Sequence, residues 1–463
     1  MKQQNILVKG SSAVMTGLRG PRARAGRVDI RIGNGVITEI ASNLSAQPGE
    51  RVIDATDCVV YPGWVNTHHH LAQNLLKAVP SGMNQDLQDW LASVPYPRLD
   101  RFTPTLIHVA AQLGMAELLL SGVTTCADHH YLYHAHGSTE SGDLLFNVAQ
   151  AFGMRFVLCR GGALESANAH PGFSKTALLP ETLEQMLGDI ERLKARYHQD
   201  TPTAMRRVVV APTTPTFSLP PALLRELAHS ARDMGLRLHS HLSETRNYVN
   251  FCREKFNCLP VEFVAEHEWL GPDVWFAHMV HLEPGEIRLL AQTNTGISHC
   301  PLSNSRLGSG IAPVPQLANA GVTVSLGVDG VASNESGSMI SEANMAWLIH
   351  RAAQGVQATT IEDVIHWGSA GGARVLGLDA VGTLEVGQAA DLVVYRLDHP
   401  RFFGFHDIAV APVAAGEPVA VHYSIINGCV AVDRGEIPGL DLARLRKNAQ
   451  EGVRHMMLDS LEP

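Results

Sequence analysis

Between about residue 60 and residue 380, short β-branched runs alternate with longer helical stretches. The runs are "CVVYPGWVNT", "GVTTCADH", "RFVLCRG", "RRVVVAPT", "RLHSHLSE", "VWFAHMV", "TGISHCP" and "TVSLGVDG". Stretches such as "PTLIHVAAQLGMAELLLS" and "PPALLRELAHSARDMG" separate them and read as helices. Eight strands alternating with helices over roughly 300 residues predict a (β/α)8 barrel of the TIM type. An open doubly wound sheet would not need eight parallel strands. No GxGxxG or Walker-type loop follows any of the runs, so a nucleotide-phosphate site has no support.

The two ends read differently. "VDIRIGNGVITEI" alternates apolar and polar residues around Asn34-Gly35, the signal of a type I′ hairpin. "GTLEVGQAADLVVYRLD" and "AVHYSIINGCVAVDRGEI" are also strand-like, with turns at Asn427-Gly428 and Arg434-Gly435. Neither end is long enough for a comfortable domain alone. The expectation is an α/β protein in which residues 1–60 and 381–463 join into one small β-sandwich domain, with residues 61–380 forming the barrel.

Composition narrows the class. Of 463 residues, 45% are hydrophobic and 17% charged, which suits a globular chain with a large interior. The net charge of −9, with no Lys/Arg run, argues against nucleic acid or an anionic membrane as partner. The N-terminus lacks the apolar core of a signal peptide, and no long uninterrupted apolar stretch predicts a membrane span. Seven cysteines without a CxxC pair read as reduced thiols, which suits a cytoplasmic protein.

The unusual count is 23 histidines. In barrel enzymes the chemistry sits at the C-terminal ends of the strands. The first strand ends in His68-His69-His70, where alternation puts His68 and His70 on one face and His69 on the other. The fifth supplies His239, His241 and Glu244, the sixth His278 and the eighth Asp329. A lone strand-end histidine is commonly just bonded to a backbone carbonyl. Convergence from four strands instead predicts a divalent-metal site, with imidazole and carboxylate ligands that suit Zn²⁺ or Fe²⁺. His69 then packs or hydrogen-bonds behind it.

The motifs "VNTHHHL", "HSHLSET", "AHMVH", "HCPLSNSRLGSG", "GVDGVASNES" and "GTLEVGQAADLVVY" resemble the amidohydrolase superfamily, in its cytosine/guanine-deaminase and triazine-hydrolase branch. They span nearly the whole chain. The resemblance implies that His68, His70, His241 and Asp329 hold one divalent metal, most simply Zn²⁺ with Fe²⁺ as the alternative. It also implies that Glu244 shuttles protons, that His278 contacts the hydrolytic water and that Asp329 accepts its proton. The fourth run contains no Lys, so the carboxylated lysine that bridges two metals in some members is missing. Thr213 stands where adenosine-type deaminases carry a His after the "AP" of that run. "NTHHHLAQNLLKA" and "RYHQDTPTAMRRVVVAPTT" are more similar to isoxanthopterin deaminases, and "SETRNYVNFCREKF" to 8-oxoguanine deaminases.

The expected activity is hydrolytic deamination of a fused heteroaromatic amine, with release of ammonia. Triazine-type hydrolysis and a non-catalytic scaffold barrel are the alternatives. The partner is a small heterocycle, and the resemblance implies a homo-oligomer. Gln73, three residues past the metal pair, is a candidate for the ring edge. Arg160 can hold a ring oxo group or form a structural ion pair. Trp90 is a candidate lid in the loop after the first strand, and Tyr133, with Tyr131 and His130, a candidate rim.

Overall fold

The eight runs form eight parallel strands hydrogen-bonded in chain order in a computed structural model, which describes residues 3–137, 139–165 and 178–457. They are β1 (Trp64–His69), β2 (Val123–His130), β3 (Arg155–Arg160) and β4 (Arg206–Val210). β5 (Leu238–Leu242), β6 (Val274–His278), β7 (Gly296–His299) and β8 (Val324–Leu326) complete the set. The chain just beyond β8 returns to β1: the Asp329 N–H donates to the His68 carbonyl at 2.9 Å. Nearly every residue of these strands is buried, which is why they read as continuous apolar runs rather than alternating ones.

Local signals set the intervening helices. The helix Pro104–Ser121 starts on Thr103, whose hydroxyl accepts from the Leu106 N–H, and places Pro at its first turn. It stops at Gly122, whose φ of 95° suits the left-handed turn that closes a helix. Leu183–Tyr197 begins with a reciprocal capping box between Thr182 and Gln185.

The two ends meet as expected. One antiparallel-rich sheet contains Ile6–Lys9, Asp29–Gly33, Val36–Ala41 and Arg51–Asp54. A second combines Ala13–Met15, Arg24–Gly26 and Cys58–Pro62 with Leu392–Arg396, Ala420–Ile426 and Cys429–Asp433. Ile6, Val8, Ile30 and Ile53 of the first pack with Val14, Val60, Leu392 and Val394 of the second in one buried cluster, a small sandwich. Asn34 and Gly35 both have positive φ (52° and 81°), as a type I′ turn requires.

Two details differ from the sequence reading. "CVVYPGWVNT" is two strands, not one: Cys58–Pro62 lies in the sandwich and Trp64–His69 in the barrel. Gly63 is the crossing point. Its N–H donates to the Asp391 carbonyl, and a Cβ there would collide with the Thr124 side chain. The C-terminal helix Leu442–Met456 lies on the barrel side, with Leu445 in the barrel's cluster and Arg98 donating to the Met456 carbonyl at 2.9 Å.

Buried polar links join barrel and sandwich. Arg155 donates to Asp391 at 2.9 Å with both side chains fully buried, and the Trp64 indole donates to the Tyr395 hydroxyl at 2.7 Å. All seven cysteines are free thiols. Among the described residues, no helix is long and apolar enough to cross a membrane.

Candidate active site

The strand ends bring His68, His241, His278 and Asp329 together, with a ligand atom from each within 4.8 Å of the others. His70 joins them, its Nε2 lying 3.1 Å from His241 Nε2 and 3.3 Å from Asp329 Oδ1. His68 Nε2 lies 3.3 Å from the same carboxylate oxygen. Backbone strain aims these groups. Ser243, His278 and Asp329 have φ of 51°, 71° and 63°, a region that costs a non-glycine residue on the order of 1 kcal/mol or more. The left-handed turn at Ser243 separates His241 from Glu244 while both line the same cavity.

Each histidine commits its far nitrogen. His70 Nδ1–H donates to the His129 carbonyl at 2.7 Å, and His241 Nδ1–H to the Thr213 carbonyl at 2.6 Å. His278 Nδ1 meets Asn304 Oδ1 at 2.9 Å. His68 Nδ1 meets His239 Nε2 at 2.8 Å. In a neutral ring, a proton on Nδ1 leaves a bare lone pair on Nε2. The Nε2 atoms of His68, His70, His241 and His278 therefore turn bare lone pairs toward one another and toward a carboxylate. Such facing lone pairs repel unless a cation lies between them. Separations of 3.1 to 3.3 Å are what ligand atoms about 2.1 Å from a shared ion span. The donor set fits a divalent metal.

Proton and cation compete for these nitrogens. Burial pushes His68 and His241 well below the ordinary imidazole range. At His70 burial also lowers the pKa, but the Asp329 carboxylate outweighs it and the net shift is upward. Asp329 is itself held in place: Ser303 Oγ donates to its Oδ2 at 2.6 Å, leaving Oδ1 toward the histidines. His69 points away from the cluster and donates from Nδ1 to the Asp329 backbone carbonyl at 2.6 Å. Burial drops its pKa to about 3.

Glu244 sits beside this cluster, its Oε2 3.6 Å from His278 Nε2 and its Oε1 accepting from Ser309 at 3.3 Å. Burial raises its pKa, with His278 opposing. Both groups line a cavity of about 590 Å³, well within the range of small-molecule sites. Its floor carries His70, His241, Glu244, His278 and Asp329, and its walls include Leu87, Leu91, Leu132, Phe217 and Phe251.

The candidate contacts divide. Gln73 lines the cavity, donates to the Tyr131 hydroxyl at 3.0 Å and keeps an unpartnered buried carbonyl oxygen. Trp90 also lines it, on the short helix Leu87–Ser93, with its indole N–H on the Ala332 carbonyl at 3.2 Å. Tyr133 lines it as well. Arg160 is different. It is fully buried, donates twice to Glu181 at 2.6 Å and once to Asp189 at 3.1 Å, and lies 3.8 Å from the centre of the Tyr133 ring. Its Nη1 also donates to the Gly161 carbonyl at 2.9 Å, and it does not line the cavity, which favours the ion pair over a ring oxygen. His130 is buried behind Tyr133, with edge-to-face rings 5.3 Å apart.

The sequence reading missed the supports. His129 stacks on His241 with ring centres 4.7 Å apart, and it donates to the Ala211 carbonyl. Ser303 and Asn304, on the short helix Pro301–Arg306, and Ser309 just after it all come from "HCPLSNSRLGSG", so that polar segment after β7 was the available signal.

A family model described as the amidohydrolase family matches residues 59–430. The chain is 48% identical to an isoxanthopterin deaminase from an unknown prokaryotic organism, over 98% of each chain. It is 40% identical to an 8-oxoguanine deaminase of Pseudomonas aeruginosa, over 89% of this chain and 91% of that one. Among solved structures, the zinc complex of an atrazine chlorohydrolase from Arthrobacter aurescens superposes with a TM-score of 0.89 at 27% identity. That likeness covers 97% of this chain and 100% of the other. The chain belongs to the amidohydrolase family. Its activity is that of a metal-dependent deaminase.

Proposed function

We propose that the protein hydrolytically deaminates a fused heterocyclic amine of the isoxanthopterin type, replacing ring C–NH2 by C=O and releasing ammonia. The carrying observation is the buried Glu244 carboxyl beside the histidine–aspartate cluster, at the floor of one cavity. The substrate class is supported by the 48% identity to isoxanthopterin deaminase along 98% of the chain.

In this reading His68, His70, His241 and Asp329 hold one divalent cation, Zn²⁺ by the precedent of the chlorohydrolase complex. When bound, the cation supplies Lewis-acid activation of water at neutral pH. Asp329 Oδ1, oriented by Ser303, receives the proton of the attacking water. His278 keeps Nε2 toward the reacting centre because Asn304 engages its Nδ1. Glu244, its pKa raised by burial, donates a proton to the ring nitrogen next to the amino-bearing carbon, so the ring accepts the new C–O bond without a full negative charge. Passing the water-derived proton from Asp329 to the amino group lets the C–N bond break and ammonia leave. The ring nitrogen keeps the Glu244 proton, and the remaining hydroxyl proton restores Glu244 as C=O forms. Gln73 reads the ring edge, and Trp90 and Tyr133 line the space the bicycle occupies.

Ammonia release from metal-analysed protein tests the reading, with isoxanthopterin, pterin, 8-oxoguanine, guanine, cytosine and amino-triazines assayed in parallel. A dominant kcat/KM for isoxanthopterin is expected. A preference for 8-oxoguanine would move the assignment to the oxopurine, which the 40% relative favours. Turnover of triazines alone would overturn the fused-ring assignment.

A further inference from the structure

His239 belongs to neither the proposed ligand set nor the acid–base pair, yet it is fully buried against them. Its Nδ1 lies 2.9 Å from the Trp275 carbonyl, an atom that can only accept, so Nδ1 carries the proton. In the neutral ring Nε2 is then bare. His68 Nδ1, 2.8 Å away, must be the donor into it. That leaves His68 Nε2 bare on the side of Asp329 and His241. We propose that His239 is a positioning residue that fixes the ring tautomer of His68 and so presents His68 Nε2 to the cation.

The arrangement is a closed mechanical loop. Trp275 stacks on the His239 ring, with centres 4.5 Å apart and planes within 18° of parallel. The same tryptophan donates its indole N–H to the Thr67 carbonyl at 3.2 Å. One residue on β6 thus orients the acceptor with its carbonyl and steadies the backbone next to His68 with its side chain. Thr67 is held in turn by Ser298, Ser325 and the Leu326 carbonyl, all within 2.9 Å. The other histidines rest on backbone carbonyls or on Asn304. Of these four histidines, His68 alone hands its Nδ1 proton to another imidazole.

His68, His129 and His239 could alternatively be read as ligands of a second cation, because their ring nitrogens also cluster. The 2.8 Å contact has hydrogen-bond length, and the Trp275 carbonyl already fixes the remaining His239 nitrogen. The hydrogen-bonded reading accounts for both nitrogens of His239 without a second ion.

The inference rests on the metal-dependent reading of this site, but its test needs no substrate. Apo forms of the wild type, His239→Leu and His239→Gln are titrated with Zn²⁺ and with Co²⁺ against a chelator of known affinity, and the Co²⁺ absorption bands are recorded. Wild type that binds neither ion would sink the metal reading itself. With wild type binding, the Leu variant should lose about 10- to 100-fold in affinity and show altered Co²⁺ bands. The Gln variant, whose amide oxygen can still accept from His68 Nδ1, should recover most of the loss. Equal affinity in Leu and wild type would overturn the proposal. So would an equal loss in Leu and Gln, which would mean that ring packing matters and the acceptor does not. If the variants do not fold, neutron diffraction of perdeuterated, metal-loaded wild-type crystals decides the matter. Deuterium on His68 Nδ1 is expected, and deuterium on His239 Nε2 would overturn the assignment.

Discussion

His70 and His241 face each other through Nε2 atoms 3.1 Å apart, although each ring has committed its Nδ1 proton to a backbone carbonyl. Two lone pairs at that separation make a poor contact by themselves and a good pair of ligands. The relationship predicts that chelation abolishes turnover and lowers the melting temperature together, and that Zn²⁺ or Fe²⁺ restores both. A ligand at 1,000 times its Kd stabilises by about 4 kcal/mol, so the shift is readable by calorimetry. Full activity in protein shown by metal analysis to be empty would refute it.

Glu244 lies near the cluster but contributes to no proposed ligand pair, so acid–base work and metal holding can be separated at this residue. Glu244→Gln should keep its metal content while kcat falls about 10²- to 10⁴-fold. Metal analysis and steady-state kinetics on the same sample check this. Loss of metal in step with activity would remove the role assigned to the carboxyl.

Arg160 is surrounded by Glu181, Asp189 and the Tyr133 ring with no exposed surface. Arg160→Met would leave the buried Glu181 carboxylate without its cation, while Asp189 keeps only Arg192. Breaking a buried pair in this way costs about 3–5 kcal/mol, so denaturant unfolding should show a large loss of stability. An unchanged midpoint accompanied by a raised KM would return the residue to substrate binding.

Gly330 borders Gln73 so closely that a Cβ would overlap the amide. Gly330→Ala therefore displaces Gln73 without replacing it. The expected result is a KM raised roughly tenfold or more, the worth of one or two hydrogen bonds, with stoichiometric metal retained. An unaltered KM in metal-replete protein would argue against Gln73 as the reader of the ring edge.

Much of this architecture was legible along the chain because it depends on local periodicity. Apolar runs buried on both faces announced the eight strands, and Asn-Gly pairs announced hairpins by requiring left-handed backbone at two successive residues. The barrel rule then placed His68, His70, His241, His278 and Asp329 at one rim, since strand ends converge whatever lies between them.

What the chain could not declare is how each polar group is paired. Arg160 meets Glu181 and Asp189, 21 and 29 positions away, across loops whose course periodicity does not specify. Gly63 breaks an unbroken apolar run because Thr124, from another strand, leaves no room for a side chain. His239 looks in sequence like a further ligand beside His241, and only the carbonyl of Trp275 on the next strand shows which of its nitrogens carries the proton. Ligand identity follows from residue type and strand position. The tautomer of each ring depends on a partner that folding alone brings within hydrogen-bond distance.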